Sequence, residues 1–481
     1  MQKNKQVGKI VIVLSFLVGV LLAGSIGYFL RSSNLIQLKK QNHPSEINYP
    51  PKNTHVSFEK THLPIVFVDT ERKQISHQDY IPARMTIIDN GMGRPNYIDT
   101  VAHKNQKKDF AGHIAIKHRG NTSFSLSPKK PYNIQLYNGP YKNGGKKHEK
   151  SILGMKSAKK WAIISPYLDK TLFRDVLTYQ LMRPYMEYVP QGKHCELVID
   201  SIYYGIHIIM ELPLLSSIDD KEPDEDNKDI TGGYVLYLDR YQKNAYLSPF
   251  DRHGNLSPDL ADESRVCIEY KDPKYTKLSE KQKGYISSRI QQMEEAFASI
   301  DNTGSNNDYQ NHIDVLSFID YQLITEFTHN VDGYWKSTYL YKHRDKEDRR
   351  FKLSLWDFDG AFGNIDWGTE KWTVSTSNWV YERKNGEIPF WWNRLMQDPN
   401  YKTRLTQRWR QLRAGNLSDE RINGLVDSLA QNLVSNDAIE RDRKCWPLKY
   451  PKSTYQDEII YIKDWMGRRL EWMDNQLMIR E

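Results

Sequence analysis

Short apolar runs rich in β-branched residues dominate the first half of the chain, and their length and composition are typical of β-strands. They lie at residues 63–68, 83–88, 113–118, 131–136, 161–164, 196–199, 205–210 and 234–238. Asp200 and Ser201 separate two of these runs and predict a hairpin turn. The pattern therefore predicts a largely antiparallel sheet region.

Apolar residues recur at helical spacing in four longer stretches, at residues 170–182, 279–300, 315–329 and 459–478. Asp169 and Asp314 precede two of these stretches and are expected to cap the helices. After residue 365 the sequence passes into Trp-rich loops and then helices. We therefore expect an α+β fold, in which a helical C-terminal part follows the sheet region.

Two further strand-like runs, at residues 337–342 and 351–356, are joined by a polar connection. If these runs pair as an antiparallel hairpin, the start of the first lies beside the end of the second. Asp332 comes just before the hairpin, whereas Asp357 and Asp359 come just after it. The three carboxylates are therefore expected at one edge of the sheet.

Neighbouring carboxylates raise one another's pKa, and a divalent cation between them relieves their repulsion. Protein kinases likewise place a catalytic Asp ahead of a metal-binding Asp. Phosphoryl transfer is therefore the leading interpretation, although any one of these acids could alone be an ordinary turn residue. The polar connection contains His343-Arg344-Asp345, which spells the kinase catalytic-loop triplet. Because this triplet falls at the far end of the hairpin, we expect it to be solvent-exposed and inert.

A second candidate element joins residues 119–123 (RGNTS), at the end of one strand, to residues 128–132 (PKKPY), at the start of the next. Glycine lets backbone amides approach an anion, and Arg and Lys donate charge-assisted hydrogen bonds to phosphate oxygens. The spacing differs from that of a Walker loop, GxxxxGK[ST]. A phosphate-facing loop and a simple β-turn are both compatible with this pattern.

The N-terminus carries Lys3, Lys5 and Lys9 ahead of an uncharged apolar stretch at residues 10–30. About twenty such residues can span a bilayer, and the lysines favour an N-terminus that stays in the cytoplasm. A cleaved signal peptide is the alternative. We expect a single-pass membrane protein with its catalytic part outside the cytoplasm, or a secreted or periplasmic protein after cleavage.

The expected organisation is an anchor or signal at 1–31, a linker at 32–60, a catalytic region at 61–365 and a helical part at 366–481 packed on the same domain. The net charge of +8 is spread along the 481 residues without a basic run, so nucleic acid is not an expected partner. Three widely spaced cysteines predict small buried side chains rather than a zinc site.

Six segments resemble, in the right order over about residues 110–475, the motifs of the CotH kinase family, atypical kinases first met in bacterial spore coats. They are 119–132 (RGNTS…KKPY), 161–175 (W…D…LFRD), 204–211 (YGIH…E), 232–234 (GGY), 318–359 (FIDY…WDFD) and 395–409. The chain departs from the family pattern at Asp175, where Asn is commoner, and at His207, where an aromatic residue is usual.

The resemblance implies an atypical protein-kinase-like fold and ATP-dependent phosphorylation of Ser or Thr in a protein substrate, assisted by Mg²⁺ or Mn²⁺. Asp332 would orient or deprotonate the acceptor hydroxyl. Asp359 and Asp357 would hold the metal, and Asn330 would support the metal or Asp332. The residues that would face the nucleotide are Arg119, Asn121, Ser123, Lys129 and Lys130. Glu211 could be a Lys partner, a nucleotide contact or a structural residue.

Two alternatives belong to other classes. One is a non-catalytic cell-surface binding protein for polysaccharide or protein, because eleven of the 12 Trp residues follow residue 330 and aromatic platforms stack on sugars. The other is a metal-dependent hydrolase that uses the same three acids. The presence of Arg119 and the paired lysines together with the acids favours a nucleotide-binding protein over both.

Overall fold

All strands predicted from the sequence form in the structure, a computed structural model. It describes residues 51, 53–224, 228–239, 244–257, 266–364, 374–383, 388–448 and 454–478. The strands are β1 Lys60–Thr61, β2 Ile65–Asp69, β3 Ile81–Ile88, β4 Asn96–Tyr97, β5 Lys108–His118, β6 Tyr132–Tyr137, β7 Lys160–Ile164, β8 Gly192–Ile199, β9 Ile202–Glu211, β10 Tyr234–Leu238, β11 Tyr246–Leu247, β12 Cys267–Asp272, β13 Thr338–Lys342 and β14 Lys352–Ser354.

The helices in the described part of the chain are α1 Thr122–Leu126, α2 Arg174–Met182, α3 Glu280–Ala298, α4 Val315–Thr328, α5 Asp345–Asp348, α6 Trp391–Leu395, α7 Pro399–Arg413, α8 Asp419–Val434, α9 Ala438–Cys445 and α10 Tyr455–Leu477. The chain from residue 49 onwards is one compact unit. Its mixture of sheets and helices, with a helical C-terminal part, confirms the predicted α+β class.

Seven strands close into a barrel in the order β2-β3-β5-β6-β7-β9-β8. Neighbouring strands are antiparallel except at the closing pair, where β2 runs parallel to β8. Closure pairs Ile65 with Glu196, which are far apart in sequence. Local apolar patterns carry no information on such a contact, so the sequence predicted the strands but not the barrel.

A second sheet has the strand order β11-β12-β10-β13-β14 and contains the predicted acidic hairpin. β13 and β14 are antiparallel, with Tyr339 opposite Ser354 and Tyr341 opposite Lys352. The start of β13 therefore lies beside the end of β14, as the sequence predicted. Strands β11 and β12, which the apolar pattern did not predict, extend the sheet beyond β10.

Two apolar cores hold these elements. One fills the barrel around Trp161, and the other lies between α2, α4, the second sheet and the C-terminal helices. Cys195, Cys267 and Cys445 are all buried and none of the three forms a disulfide, as predicted. The predicted cap Asp314 accepts the N–H of Ser317 at 2.9 Å.

The hairpin connection at residues 343–350 differs from the exposed turn that the sequence predicted. It contains α5, and the His343 ring binds Glu187 at 2.6 Å and Asp220 at 3.0 Å. Arg344 forms ion pairs with Asp229 and with Asp224. Asp345 is solvent-exposed as predicted, but His343 and Arg344 are only partly exposed, because acidic residues from neighbouring loops fold over the tip of the hairpin.

The predicted membrane anchor or signal at residues 10–30 lies outside the described residues. Among the helices that the structure does describe, none has both the length and the apolar content needed to cross a bilayer.

Candidate active site

Asp357 is held by hydrogen bonds to Ser337, just ahead of β13, and to Tyr179 of α2. The Ser337 hydroxyl donates to the Asp357 carboxylate at 2.9 Å, across the base of the hairpin. The backbone N–H of Asp357 donates to the Tyr179 hydroxyl of α2 at 3.1 Å. Asp357 therefore lies where the hairpin and α2 meet.

Asn330 links Asp332 to this edge. Its side-chain amide donates to the carbonyl of Asp357 at 3.1 Å, and its side-chain oxygen accepts the N–H of Asp332 at 3.2 Å. The Asp332 carboxylate pairs with Lys336 at 2.9 Å and is 34% exposed. Asp332 thus offers a carboxylate that solvent, or a hydroxyl from another molecule, can reach.

The Asp359 carboxylate has no hydrogen-bond donor among the residues that the structure describes. Burial, followed by the charges of Asp357 and Asp175, raises the pKa of Asp359 well above its ordinary value. Burial and the charge of Asp332 also raise the pKa of Asp357, although Ser337 opposes that shift. Several carboxylates therefore share this site with too few positive partners.

Helix α2 and the turn that precedes it add two acids that sequence reasoning did not place in the site. Asp175 accepts the N–H of Phe358 at 2.6 Å, and burial followed by the charge of Asp357 raises the pKa of Asp175 to about 7. The Asp169 carboxylate accepts the N–H of Arg174 at 2.7 Å and also forms an ion pair with the Arg174 guanidinium. The sequence signal for Asp175 was an acidic residue within a largely apolar predicted helix, at a position where the family usually has Asn.

Arg119 is the predicted phosphate-facing residue that lies closest to the acids in the structure. Its guanidinium sits 5.1 Å from the ring centroid of Trp356, and its Nη1 is buried without a hydrogen-bond partner in the described part of the chain. Burial lowers the pKa of Arg119, whereas the charges of Tyr339 and Asp357 raise it. An unpaired guanidinium beside this cluster is a suitable donor for a phosphate oxygen.

The paired lysines lie elsewhere. Lys129 is fully buried and forms an ion pair with Asp442 of α9 at 2.5 Å. Lys130 donates to the carbonyls of Phe124 and Ser127, which closes the loop around α1. Both ammonium groups are therefore occupied by the protein, so they support the fold of this loop rather than present a free charge to a ligand.

The loop that carries Arg119 turns at Gly120, which has φ +79°. A Cβ on Gly120 would lie 2.2 Å from the Ser123 hydroxyl oxygen, so only glycine fits here. Asn121 is exposed and precedes α1 without capping it through its side chain. Neither Asn121 nor Ser123 contacts the acids through a hydrogen bond in the described structure.

Glu211 lies at the end of β9 and accepts the N–H of Lys156 at 2.9 Å and that of Gln191 at 3.0 Å. Burial raises its pKa, and these two N–H groups lower it. Its carboxylate therefore joins two neighbouring loops of the barrel, which is a structural task.

Backbone strain collects around the site. Five residues other than glycine have positive φ between residues 329 and 362, namely His329, Tyr334, Ser337, Asp357 and Phe362. Each such conformation costs on the order of 1–3 kcal/mol and persists where the surroundings enforce it, often at functional sites. Two of the five form the Ser337–Asp357 hydrogen bond.

The donor set fits a divalent cation that a nucleotide also binds. Mg²⁺ is commonly held by one or two carboxylates together with phosphate oxygens and water. Asp359 is free to supply one such carboxylate, and one oxygen of Asp357 has no hydrogen-bond donor in the described structure. The only described His, Cys, Asp and Glu side chains that place three ligand atoms within 4.8 Å of one another are Asp220, His343 and Glu347, at the hairpin tip. The acids of the site would therefore need phosphate and water to complete a coordination sphere.

Two comparisons with known proteins gave different results. A comparison with curated proteins found no match. The sequence pattern of the family described as CotH kinase protein matches residues 116–473, a span that contains Arg119, α2, the hairpin and all the acids described above. The chain therefore belongs to the CotH kinase family, a family of kinase-like proteins.

Proposed function

We propose that this protein is a metal-dependent protein kinase that transfers the γ-phosphoryl group of ATP to a Ser, or Thr, of a protein outside the cytoplasm. The observation that carries the proposal is that one site contains two carboxylates with different surroundings. Asp332 is open to solvent, whereas Asp359 lies partly buried among like charges and has no hydrogen-bond donor in the described structure. One suits an acceptor hydroxyl and the other suits a metal ion.

In the proposed reaction, a bond forms between the acceptor hydroxyl oxygen and the γ-phosphorus while the bond from that phosphorus to the β-phosphate oxygen breaks. Asp332 receives the hydroxyl proton, and Asn330 fixes its position relative to Asp357. Arg119 donates hydrogen bonds to phosphate oxygens. Mg²⁺ or Mn²⁺, held by Asp359 and the free oxygen of Asp357, would neutralise the charge of the phosphates.

The proposed location outside the cytoplasm, with a membrane anchor or a cleaved signal, rests on the sequence of residues 1–31 alone. The main observation for a polysaccharide-binding protein is weaker than the sequence suggested. Trp391 and Trp392 are fully buried in the core, so they offer no platform for a sugar. Trp367 and Trp372 lie outside the described residues.

The test incubates the full-length protein with γ-labelled ATP, Mg²⁺ or Mn²⁺ and a dephosphorylated protein mixture, and measures label in protein and in free phosphate. We expect label on Ser or Thr, reduced about 10²–10⁴-fold in Asp332→Asn. The matched control is Asp345→Asn, which alters the other kinase-like Asp at the hairpin tip and should keep its activity. Release of label only as free phosphate would identify a hydrolase, and no nucleotide binding at millimolar ATP would overturn the proposal.

A further inference from the structure

Lysines that are scattered in the sequence gather at strands β5, β6 and β7 of the barrel, where Lys117 lies opposite Asn133 and the charges of Lys147, Lys274 and Lys277 act on Lys160. We call this surface the lysine face, and its members are Lys117, Lys147, Lys160, Lys274 and Lys277. Lys147 forms a bridge with Tyr137 at the end of β6, and Lys160 pairs with Gln135. The folding of two strands and two loops creates this concentration of charge, although the sequence contains no basic run.

The charges of the lysine face act on one another. Burial lowers the pKa of Lys117, and the charge of Lys274 lowers it further. Burial also lowers the pKa of Lys160, where Asp272 opposes the shift and Lys147 adds to it. Among the described residues, neither Lys147, Lys160 nor Lys274 has a salt bridge. Gathered ammonium groups that outnumber the carboxylates around them favour an anionic ligand.

The lysine face reaches the candidate active site through Tyr80. The Lys117 ammonium lies 5.3 Å from the centroid of the Tyr80 ring and donates to the carbonyl of Gln78. Burial raises the pKa of Tyr80, while the Gln135 side chain and the charge of Arg119 lower it. Arg119 follows Lys117 by only two residues in the chain and lies over Trp356, next to Asp357. A ligand on this face therefore has one end near the acids.

Carboxylates interrupt the lysine face and indicate what kind of anion fits. Asp79 acts on Lys117, Asp272 acts on Lys160, and Glu222 lies 3.6 Å from Lys277. A polynucleotide carries a charge at every phosphate and would meet these carboxylates along its length. A peptide can place single acidic side chains opposite the lysines and neutral ones between them.

We propose that the lysine face binds an acidic segment of the protein substrate and holds the neighbouring Ser or Thr at the active site. This inference names the substrate class of the proposed kinase and rests on that proposed function. The recognition is electrostatic, so it should act on the affinity for the acceptor and weaken as salt screens the charges.

The first measurement is binding without ATP, by fluorescence anisotropy of a labelled Ser-containing peptide rich in Asp and Glu. The full-length protein should bind it at low salt, with at least tenfold weaker binding in the double variant Lys147→Glu/Lys274→Glu. The matched control Lys104→Glu/Lys402→Glu has the same net charge, alters two exposed lysines elsewhere and should bind like wild type. Equal loss in both variants, or tighter binding of an oligonucleotide of equal length, would overturn the inference.

The second measurement is the kinetics of phosphorylation of acidic, neutral and Lys-rich versions of one Ser peptide. We expect the lowest KM for the acidic version and a KM at least tenfold higher in Lys147→Glu/Lys274→Glu, with kcat unchanged. A preference for the Lys-rich version would overturn the inference while leaving the kinase intact. If no peptide is phosphorylated but the acidic peptide still binds the lysine face, the proposed kinase fails and the acidic ligand stands.

Discussion

The Asp175 carboxylate accepts the backbone N–H of Phe358 at 2.6 Å, so α2 directly holds the residue between Asp357 and Asp359. The Tyr179 hydroxyl, one turn further along α2, accepts the N–H of Asp357. Two consecutive N–H groups of the acidic segment are therefore fixed by one helix.

We expect Asp175→Ala and Asp175→Asn to separate the two tasks of this side chain. Alanine leaves the buried N–H of Phe358 without an acceptor, which costs about 1–3 kcal/mol of unfolding free energy. Asparagine keeps an acceptor and removes the charge, so its stability at pH 8 should equal or exceed that of wild type. Urea unfolding of the two variants measures this difference. Equal destabilisation by both variants would contradict the assigned hydrogen bond.

The acids of the site should make the metal-free protein less stable as pH rises. Their folded-state pKa values lie above those of the unfolded chain, so the folded state binds more protons and loses stability as those protons leave. For Asp175 the loss occurs between about pH 4 and pH 7. We expect Mn²⁺ or Mg²⁺ to restore several degrees of melting temperature at pH 7.5.

The matched variants for this prediction are Asp359→Asn and Asp427→Asn. The first removes the carboxylate that has no donor, so it should raise the melting temperature of the metal-free protein and abolish the gain from metal. The second removes an exposed partner of Lys463 and should respond to metal like wild type. A metal response that survives Asp359→Asn would place the metal elsewhere.

His343 should stabilise the fold in acid and neutral solution and lose this effect in alkali. The Asp220 and Glu187 carboxylates raise the pKa of His343 to about 9. Because this folded value is above the unfolded one, the stabilisation is complete below about pH 6.5 and disappears as pH rises through 9. We expect His343→Gln to cost about 1–2 kcal/mol at pH 6, since solvent screens part of the interaction. This cost should vanish at pH 9.5, and urea unfolding at both pH values measures it. The same difference in unfolding free energy between wild type and His343→Gln at both pH values would show that the ion pairs are unimportant.

The buried ion pair between Arg469 of α10 and Glu326 of α4 should be essential to stability. Its side chains are 0% and 1% exposed, and Arg469 also donates to the carbonyl of Glu326. Arg469→Met leaves a buried carboxylate without its cation, which costs about 3–5 kcal/mol. Arg468→Met is the control, because Arg468 is exposed and pairs only with Asp464 among the described residues. Denaturant unfolding should show a change below about 0.5 kcal/mol for this control.

The hairpin and the order of the acids around it were predictable because strand pairing over a short connection depends on neighbouring residues alone. The apolar runs likewise predicted the strands of the barrel. Asp332, Asp357 and Asp359 meet at one edge as a direct result of that local pairing.

Other features depend on contacts between distant parts of the chain. The family resemblance implied that Lys129 faces the nucleotide, but its partner Asp442 lies more than 300 residues later and no local pattern reveals it. Asp175 joins the site because α2 packs under the hairpin, and the tip of the hairpin is covered because loops that carry Asp220 and Glu187 reach it. In each case the missing information was a long-range partner.

Helix α10 supports the candidate site at two places. The Tyr455 hydroxyl of α10 donates to the carbonyl of Thr171, beside the Asp169–Arg174 pair, and Arg469 anchors α4 just ahead of Asn330 and Asp332. Both supports come from a helix that follows every acid of the site in the sequence. A substitution that loosens α10 would therefore disturb the acids without altering any of them.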